Sequence, residues 1–486
     1  MRTVFTAWIS GLKLLFMCLL GTSPLFISGV HAADDPMHTW FENFKQTATP
    51  KQMQQFLHAM PKGGDLHNHL TGSIHPEWLW DLALQAEERG YLYYTKVRIN
   101  NCRFGSNEYG GNAYLLLFKN LMEYEWQQLS DCEKSEYKLL QDLTDEEQTA
   151  WLDSLRLDQT HEGRAEFFEA HWPRIGSLLN NPYLVAEGIY LNMKAFGEEG
   201  ARYLEAQIPV WIGRKPDGTA IMPAEVAEIY RARANEPDAK ATGMTVRFQV
   251  SVLRFLPNAE EFLRMSYKFV HDNEEFVAVN MVGREDNDKG YPLRFLDTYR
   301  DLRRDLPGVK LSIHAGEVDE PNAHVRDTLL LGADRIGHGV NLITDPDTML
   351  LMRHGPYLVE INLVSNLLLE YVSDYADHPF PEYLRTSIPV ALSTDDRGMW
   401  DSTLTDEFYV AVTEFNLSWD ELKTLHTNSI QYAFVEASEK QRMLADLAGD
   451  LKKFERRMLR GGVEALKDVK PQHRGFLCRQ YELCGE

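Results

Sequence analysis

The stretch Gly64–Leu70, which reads GDLHNHL, is the first of eight compact runs on which the fold prediction rests. The others are Tyr203–Val210, Thr245–Phe255, Phe276–Val282, Lys310–Ala315, Arg335–Val340, Tyr357–Val364 and Pro389–Thr394. The runs are rich in Val, Ile and Leu on both faces, as parallel strands covered by helices require. Helical patterns separate them, so they predict an α/β fold, a (β/α)8 TIM barrel whose active-site residues lie at the carboxyl ends of the strands.

Two additions to the barrel are expected. The gap between the first and second runs is too long for one crossover connection, and its acidic and aromatic content from Tyr91 to Trp151 precedes helical patterns at Arg164–Leu179 and Leu184–Phe196. We therefore expect a helical insertion over about residues 80–200, over or beside the barrel mouth. Apolar residues at helical spacing from Met443 to Phe454 predict a C-terminal helical extension.

The first 32 residues are typical of a signal peptide. They carry Arg2 and Lys13, no acidic residue, and an apolar run from Leu12 through Leu20. A membrane anchor is the alternative, but Pro24 interrupts the apolar stretch before it reaches about 20 residues. We expect cleavage after residue 32, which leaves residues 33–486 as a single barrel domain exported to a periplasm or to the extracellular space.

Charge and cysteine content narrow the function. The 486 residues carry 50 Lys and Arg against 72 Asp and Glu, a net charge of −22 that becomes −24 without residues 1–32. Such a surface repels phosphate backbones, so nucleic acid is not an expected partner. Outside the signal peptide, four cysteines allow three disulfide connectivities. We favour the pairing of cysteines that are near in sequence, Cys102–Cys132 and Cys478–Cys484, over the other two pairings and over free thiols.

Polar side chains follow four of the predicted strands. His67 and His69 are two apart in the first strand, so both imidazoles face the same way and suggest the beginning of a zinc site. The other ends carry His314 and Glu317, His338, and Asp395 with Asp396. A hydrogen-bonded strand end explains any one of these residues, but their occurrence on four strands of one barrel points to a common site.

The chain resembles the adenosine deaminases of the metal-dependent amidohydrolase class. The matching motifs are Met60–His69, His314–Glu317, Arg335–Val340, Ser365–Asn366 and Ser393–Asp396. Other details are similar to the secreted, growth-factor-related branch of that family, namely Met60–Gly63, Val372–Asp374 with His378–Pro379, and Asn428–Ile430 followed by Ser438–Lys440.

The resemblance implies one zinc ion per chain, held by His67, His69, His314 and Asp395, and attack of metal hydroxide on purine C6. It implies three catalytic residues: Glu317 protonates N1, His338 orients the hydroxide, and Asp395 accepts the proton of water. It also implies a substrate-binding set: Gly283 bonds N3, Asp396 bonds N7, and Glu285 lies near the purine.

Some positions depart from the family pattern. Thr71 stands where cytosolic relatives have an acid that binds the ribose 5′-hydroxyl, and Arg397 stands where proline is usual. Sugar contacts could then come from Glu166, Glu169 and Trp172. Alternatively, these three residues form one face of an amphipathic helix and do not contact the sugar. Arg397 is either neutral in effect or a cation near the mouth.

The expected function is deamination of adenosine, and of 2′-deoxyadenosine, to inosine and ammonia. One alternative is a deaminase of another 6-aminopurine, such as a 5′-modified adenosine, adenine or AMP. The other is an extracellular nucleoside-binding or growth-factor-like protein. The expected partner is a small purine nucleoside, with no stable membrane anchor after cleavage and with a homodimer left open.

Overall fold

A computed structural model describes residues 35–103 and 115–484 of the chain. The predicted signal peptide, residues 1–32, lies outside the described residues. The described strands are β1 (Gly64–His69), β2 (Tyr93–Lys96), β3 (Asn120–Met122), β4 (Tyr137–Leu139), β5 (Tyr203–Ile208), β6 (Thr245–Leu253), β7 (Phe276–Val282), β8 (Lys310–Ala315), β9 (Arg335–His338), β10 (Leu358–Ile361) and β11 (Val390–Leu392).

Eight of these strands form the predicted barrel. Their order is β1-β5-β6-β7-β8-β9-β10-β11, and the neighbours pair in parallel. The sheet closes where Asn68 bridges Asp395, through a hydrogen bond of 2.9 Å from the Asp395 amide to the His67 carbonyl. Closure therefore occurs at residues expected in the active site.

The predicted strand positions are confirmed, although several strands end earlier than the sequence suggests. β9 ends at His338, whose φ of 62° turns the chain out of the sheet. β10 ends at Ile361 because a helix begins at Leu363. The polar residues thus stand on the turns that leave the barrel.

The helices surround the barrel and fill both additions. They are α1 (Pro36–Thr47), α2 (Pro50–Ala59), α3 (Leu70–Ser73), α4 (Pro76–Gln85), α5 (Glu123–Gln127), α6 (Asp131–Lys134), α7 (Asp145–Asp153), α8 (Arg164–Glu166), α9 (Trp172–Ile175), α10 (Pro182–Glu198), α11 (Pro223–Ala234), α12 (Pro237–Ala241), α13 (Ala259–His271), α14 (Leu296–Asp305), α15 (His324–Leu331), α16 (Pro346–His354), α17 (Leu363–Leu368), α18 (Phe380–Arg385), α19 (Arg397–Trp400), α20 (Leu404–Phe415), α21 (Trp419–Gln431), α22 (Ala437–Gly461) and α23 (Gly475–Tyr481).

The insertion between β1 and β5 is more varied than predicted. It contains helices, but β2 also pairs antiparallel with β3 and β4 in a small sheet that the sequence pattern did not predict. The helical pattern at Arg164–Leu179 is divided by a π-helical turn over Phe167–His171. Such turns occur often at functional sites, and this one lies over the barrel mouth, as described below.

The C-terminal extension is the predicted helix. α22 buries Met443, Leu447, Leu451 and Phe454. The structure pairs Cys102 with Cys132 and Cys478 with Cys484, the favoured connectivity. Among the described residues, no helix combines the length and the apolar character that a membrane span needs.

Candidate active site

Three histidines and one aspartate converge at the carboxyl ends of β1, β8 and β11. The Nε2 atom of His314 lies 3.0 Å from Nε2 of His67 and 3.1 Å from Nε2 of His69. Oδ1 of Asp395 lies 3.5 Å and 3.2 Å from the same two atoms of His67 and His69. The four ligand atoms all lie within 4.8 Å of one another, so they face a common point.

The protonation of these rings shows that this point suits a cation. His67 Nδ1 lies 2.7 Å from a Glu360 carboxylate oxygen, and His314 Nδ1 lies 2.9 Å from the Asn280 amide oxygen, so each Nδ1 donates its proton. The Nε2 lone pairs then face each other, which is unfavourable unless a positive charge lies between them. Tetrahedral zinc with bonds of about 2.0–2.1 Å places its nitrogen ligands about 3.3 Å apart, close to the observed spacing. The residues present fit a zinc ion.

The electrostatics of the cluster point the same way. Burial lowers the pKa of His67, but the carboxylates of Asp395 and Glu360 beside its ring outweigh burial and raise the pKa to about 10. Burial would raise the pKa of Asp395, yet the imidazoles of His67 and His69 beside it hold that pKa well below the usual range. The site therefore carries an ionised carboxylate and an excess affinity for positive charge.

A buried ion pair holds His67 in this orientation. The second oxygen of Glu360 accepts from Arg335 Nε at 2.6 Å, and the same guanidinium bonds Glu205 through Nη1 at 3.1 Å. All three side chains are fully buried. Although burial opposes it, the Arg335 charge lowers the pKa of Glu360, which stays ionised against His67.

The same network continues to His314. Gln249 donates to Glu205 at 2.9 Å, and Asn280 donates to Gln249 at 3.1 Å while its oxygen accepts from His314. An unbroken chain of buried hydrogen bonds thus crosses the barrel interior from one histidine ligand to another. Outer contacts of this kind fix the tautomer and direction of metal-ligating imidazoles.

Glu317 stands beside this cluster. It is 4% exposed, and burial, followed by the negative charges of Asp395 and Glu285, raises the pKa of its carboxyl well above the usual value. This environment favours the protonated form of Glu317. Its Oε1 lies 3.6 Å from Nε2 of His338.

A relay of hydrogen bonds sets the tautomer of His338. The amide of Phe380 donates to His378 Nδ1 at 3.1 Å, so this imidazole, which burial keeps neutral by lowering its pKa to about 3, carries its proton on Nε2. That Nε2 lies 3.0 Å from the Asn366 amide oxygen, and the Asn366 nitrogen lies 3.0 Å from His338 Nδ1. His338 Nδ1 is therefore an acceptor. Burial lowers the pKa of His338 to about 3, so the neutral ring presents Nε2–H to the site.

Two backbone features place the remaining polar groups. Gly283, just after β7, has a φ of 98°, and a Cβ there would come within 2.7 Å of the Phe255 ring. Gly72 leaves room for Asp396, because a Cβ on Gly72 would lie 1.7 Å from Oδ1 of that carboxyl. Burial and the charge of Asp395 raise the pKa of Asp396 well above its usual value, which favours the protonated form of this carboxyl.

The backbone is strained at two of these positions. His338 and Asp395 are non-glycine residues with positive φ, 62° and 55°. Such conformations cost about 1–3 kcal/mol each and persist where the surrounding contacts over-determine them, which is common at functional sites.

A cavity of about 690 Å³ leads outward from this cluster. Its inner end includes His69, His314, Glu317, Asp395 and Asp396. Its roof comes from the insertion, where the π-helical turn and α9 supply Phe167, Phe168, Glu169 and Trp172. The remaining walls come from the carboxyl ends of β5, β6 and β7.

The comparisons with known proteins agree with this geometry. The family model for adenosine deaminase matches residues 133–449. The chain belongs to the adenosine deaminase family. An adenosine deaminase from Enterococcus faecalis is 33% identical over 176 residues, which are 36% of this chain and 52% of that protein. The chain spans about half the length of the curated relatives that it matches.

Solved structures share the fold. An adenine deaminase from Arthrobacter aurescens has a TM-score of 0.59 at 18% identity and covers 81% of this chain and 99% of its own. An Arabidopsis N6-mAMP deaminase has a TM-score of 0.58 at 21% identity, with coverages of 81% and 99%. The likeness to the secreted, growth-factor-related branch of the adenosine deaminase family stays a prediction.

Two sequence expectations need correction. Glu285 does not line the cavity; it accepts from the amides of Gly316 and Glu317 at 3.2 Å and from His324 Nδ1 at 2.7 Å, so it holds the turn that carries Glu317. Arg397 is not a cation near the mouth. It is fully buried, with Nη1 3.1 Å from Glu199, because its side chain points away from the cavity toward the helical layer.

The structure separates the three candidate sugar contacts. Glu169 and Trp172 line the cavity, as does Thr71. Glu166 instead pairs with Arg174 at 3.3 Å.

Several polar residues of the site were assigned no role from the sequence, namely Gln207, Gln249, Asn280, Glu360, Asn366 and His378. The motifs Ser365–Asn366 and His378–Pro379 were the only signal for any of them.

Proposed function

We propose that this chain is a zinc-dependent deaminase that converts adenosine and water to inosine and ammonia. The observation that carries the proposal is the set of hydrogen-bond donors beside the metal-ligand cluster. Glu317 and Asp396, whose raised pKa values favour the protonated carboxyls, line the cavity together with Gly283, and the ring atoms N1, N7 and N3 of a purine are all acceptors. Within the described residues, the Gly283 amide donates to no other group.

The reaction needs water to add at C6 and the amino group to leave. His67, His69, His314 and Asp395 would hold the zinc ion, which would make hydroxide available at neutral pH by lowering the pKa of a coordinated water toward about 7. Glu317 gives its proton to N1, which makes C6 electrophilic. Nε2–H of His338 donates to the oxygen that adds at C6 and stabilises its developing charge.

The proton balance closes with the same groups. Asp395 accepts the proton that water loses and passes it to the departing amino group, which leaves as ammonia. The proton of the hydroxyl now on C6 returns to Glu317 as the carbonyl forms. N1 keeps the proton from Glu317, as inosine requires.

The test is a metal assay combined with ammonia release. The purified chain should bind about one zinc ion and release ammonia from adenosine. A chain that holds zinc but turns over no 6-aminopurine would contradict the proposal and favour a nucleoside-binding role. His67→Ala should lose zinc, whereas His354→Ala, at an exposed position on α16, should not.

The second candidate is the same reaction on another 6-aminopurine. It rests on Thr71 in the cavity wall, a residue that has no carboxylate to bind the 5′-hydroxyl. A panel of adenosine, 2′-deoxyadenosine, adenine and AMP distinguishes the two by their kcat/KM values.

We further propose that the protein is exported with cleavage after residue 32. The leader pattern supports this, and two disulfides suit an oxidising compartment. N-terminal sequencing of the mature protein tests it, and an intact leader on the recovered protein would contradict it.

A further inference from the structure

The outer part of the cavity is apolar on one side. We call this side the distal wall and define it by Pro209, Trp211, Ile212, Leu253, Leu256 and Phe262. Leu253 ends β6, Phe262 belongs to α13, and the others follow β5 or β6; none of the six is a member of the metal-ligand cluster. Ile212 and Leu253 are 37% and 44% exposed although they line the cavity, so they are available to a ligand.

The chemistry of a purine directs its sugar toward the distal wall. In adenosine, N9 lies across the ring system from C6. If C6 reacts at the metal-ligand cluster, the ribose must project toward the outer part of the cavity. This step rests on the proposed function.

Gln207 offers the cavity a buried polar group beside His69 on the neighbouring strand. Gln207 is 2% exposed and lines the cavity, and its Nε2 has no hydrogen-bond partner among the described residues. Its Oε1 accepts from Ser251 at 3.4 Å. A buried amide without a partner indicates a ligand atom, and one sugar oxygen would satisfy it.

The charges around the outer cavity oppose a phosphate. The Arg284 guanidinium is already paired with Asp286, at 2.7 and 2.8 Å, and with Glu169 at 3.2 Å. Glu169 lines the same cavity, where Lys289 is the other basic side chain. A dianion would therefore meet the Glu169 carboxylate, a guanidinium that is already paired and one lysine, whereas a neutral group would meet apolar side chains.

We propose that the distal wall binds an uncharged apolar substituent at the 5′ position of the nucleoside. On this inference 5′-deoxy-5′-alkylthio adenosines are substrates at least as good as adenosine, and AMP is a poor one. The substituent takes no part in the reaction; it adds apolar contact that a 5′-hydroxyl cannot make.

The experiment measures kcat/KM of the zinc-loaded chain for adenosine, AMP and a series with 5′-methylthio, propylthio and butylthio groups. The value should rise about two- to fourfold per methylene while the wall has room, as expected from the transfer of a methylene out of water. AMP should be at least tenfold poorer than adenosine.

A pair of variants locates the effect. Leu253→Asn should lower the ratio of butylthio to adenosine kcat/KM about tenfold. Leu330→Asn, the same change at a 60% exposed site on α15 outside the cavity lining, should leave the ratio unchanged. If Leu253→Asn does not fold, the substrate series on the unaltered chain decides the matter.

The failures are distinguishable. Turnover of adenosine with every alkylthio compound a poorer substrate than adenosine would overturn this inference and leave the proposed function intact. AMP as the best substrate would overturn it in favour of a phosphate subsite. No turnover of any compound would overturn the proposed function itself.

Discussion

Asn366→Asp is the most informative change in the hydrogen-bond relay behind His338. The wild-type amide accepts from His378 and donates to His338 Nδ1. An ionised carboxylate can only accept, so it would draw the His338 proton to Nδ1 and leave a lone pair at Nε2. The shape of the side chain is almost unchanged, so the variant reverses a single donor.

The magnitude follows from what Nε2–H does in the proposed reaction. It is one oriented donor to an oxygen that gains negative charge, and loss of such a donor costs about 10²–10³ in kcat, or about 2.7–4 kcal/mol. The ligand atoms of His67, His69, His314 and Asp395 are untouched, so zinc content should stay at one per chain. KM should change far less than kcat, because the donor acts mainly in the transition state.

The pH dependence separates this role from a structural one. Once protonated, the carboxyl introduced by Asn366→Asp could again donate to His338 Nδ1 and accept from His378, which restores the relay. The kcat of Asn366→Asp relative to wild type should therefore recover as the pH falls. Asn366→Leu lacks the donor at every pH and should show no recovery.

His378→Gln is the matched control. A glutamine there can accept from the Phe380 amide through its oxygen and donate to Asn366 through its nitrogen, so the relay keeps its direction. We expect kcat within a fewfold of wild type. If Asn366→Asp with full zinc keeps kcat within threefold of wild type across the pH range, His338 does not act through Nε2–H and the tautomer argument is wrong.

Three further predictions concern other buried carboxyls. Glu317→Gln should keep its zinc and lose at least 10²-fold in kcat, because the change removes the acid and not a ligand. The control is Glu320→Gln, at an exposed position three residues further along, which should have normal activity. Normal activity of Glu317→Gln would refute the role assigned to Glu317. Glu360→Gln should weaken zinc binding about 10- to 100-fold in chelator competition, and unchanged affinity would show that the bond to His67 Nδ1 does not tune the ligand. Burial raises the pKa of Asp406 to about 8, so the folded chain holds a proton that the unfolded carboxyl releases near pH 4. The contribution of this proton to the free energy of unfolding is fully present below about pH 4. It falls by up to about 1.4 kcal/mol per pH unit until about pH 8. In urea titrations between pH 5 and 8, the free energy of unfolding should fall less for Asp406→Asn than for the wild type. An equal dependence on pH in the two proteins would contradict the raised pKa of Asp406.

The sequence predicted the barrel because each strand is a local apolar run and each helix a local periodic pattern. It also predicted that the polar residues at four strand ends share one site, because the carboxyl ends of parallel strands meet at one edge of a closed sheet. These inferences need only neighbours in the chain and the knowledge that eight such units close, whereas the ligand set and the role of Glu317 came from the resemblance to the adenosine deaminases.

Only the tertiary structure decided which partners those residues have. Glu360 and His67 are 293 positions apart, and they meet because barrel closure leaves only β11 between β10 and β1. The sequence left Arg397 as either neutral in effect or a cation near the mouth, whereas the structure pairs its side chain with Glu199, since burying a guanidinium requires a counter-charge that no local pattern reveals. The same holds for the tautomer of His338 and for the unpaired amide of Gln207. Sequence spacing predicts which groups arrive at the site, whereas their protonation, orientation and free donors depend on contacts that form only when distant segments close around them.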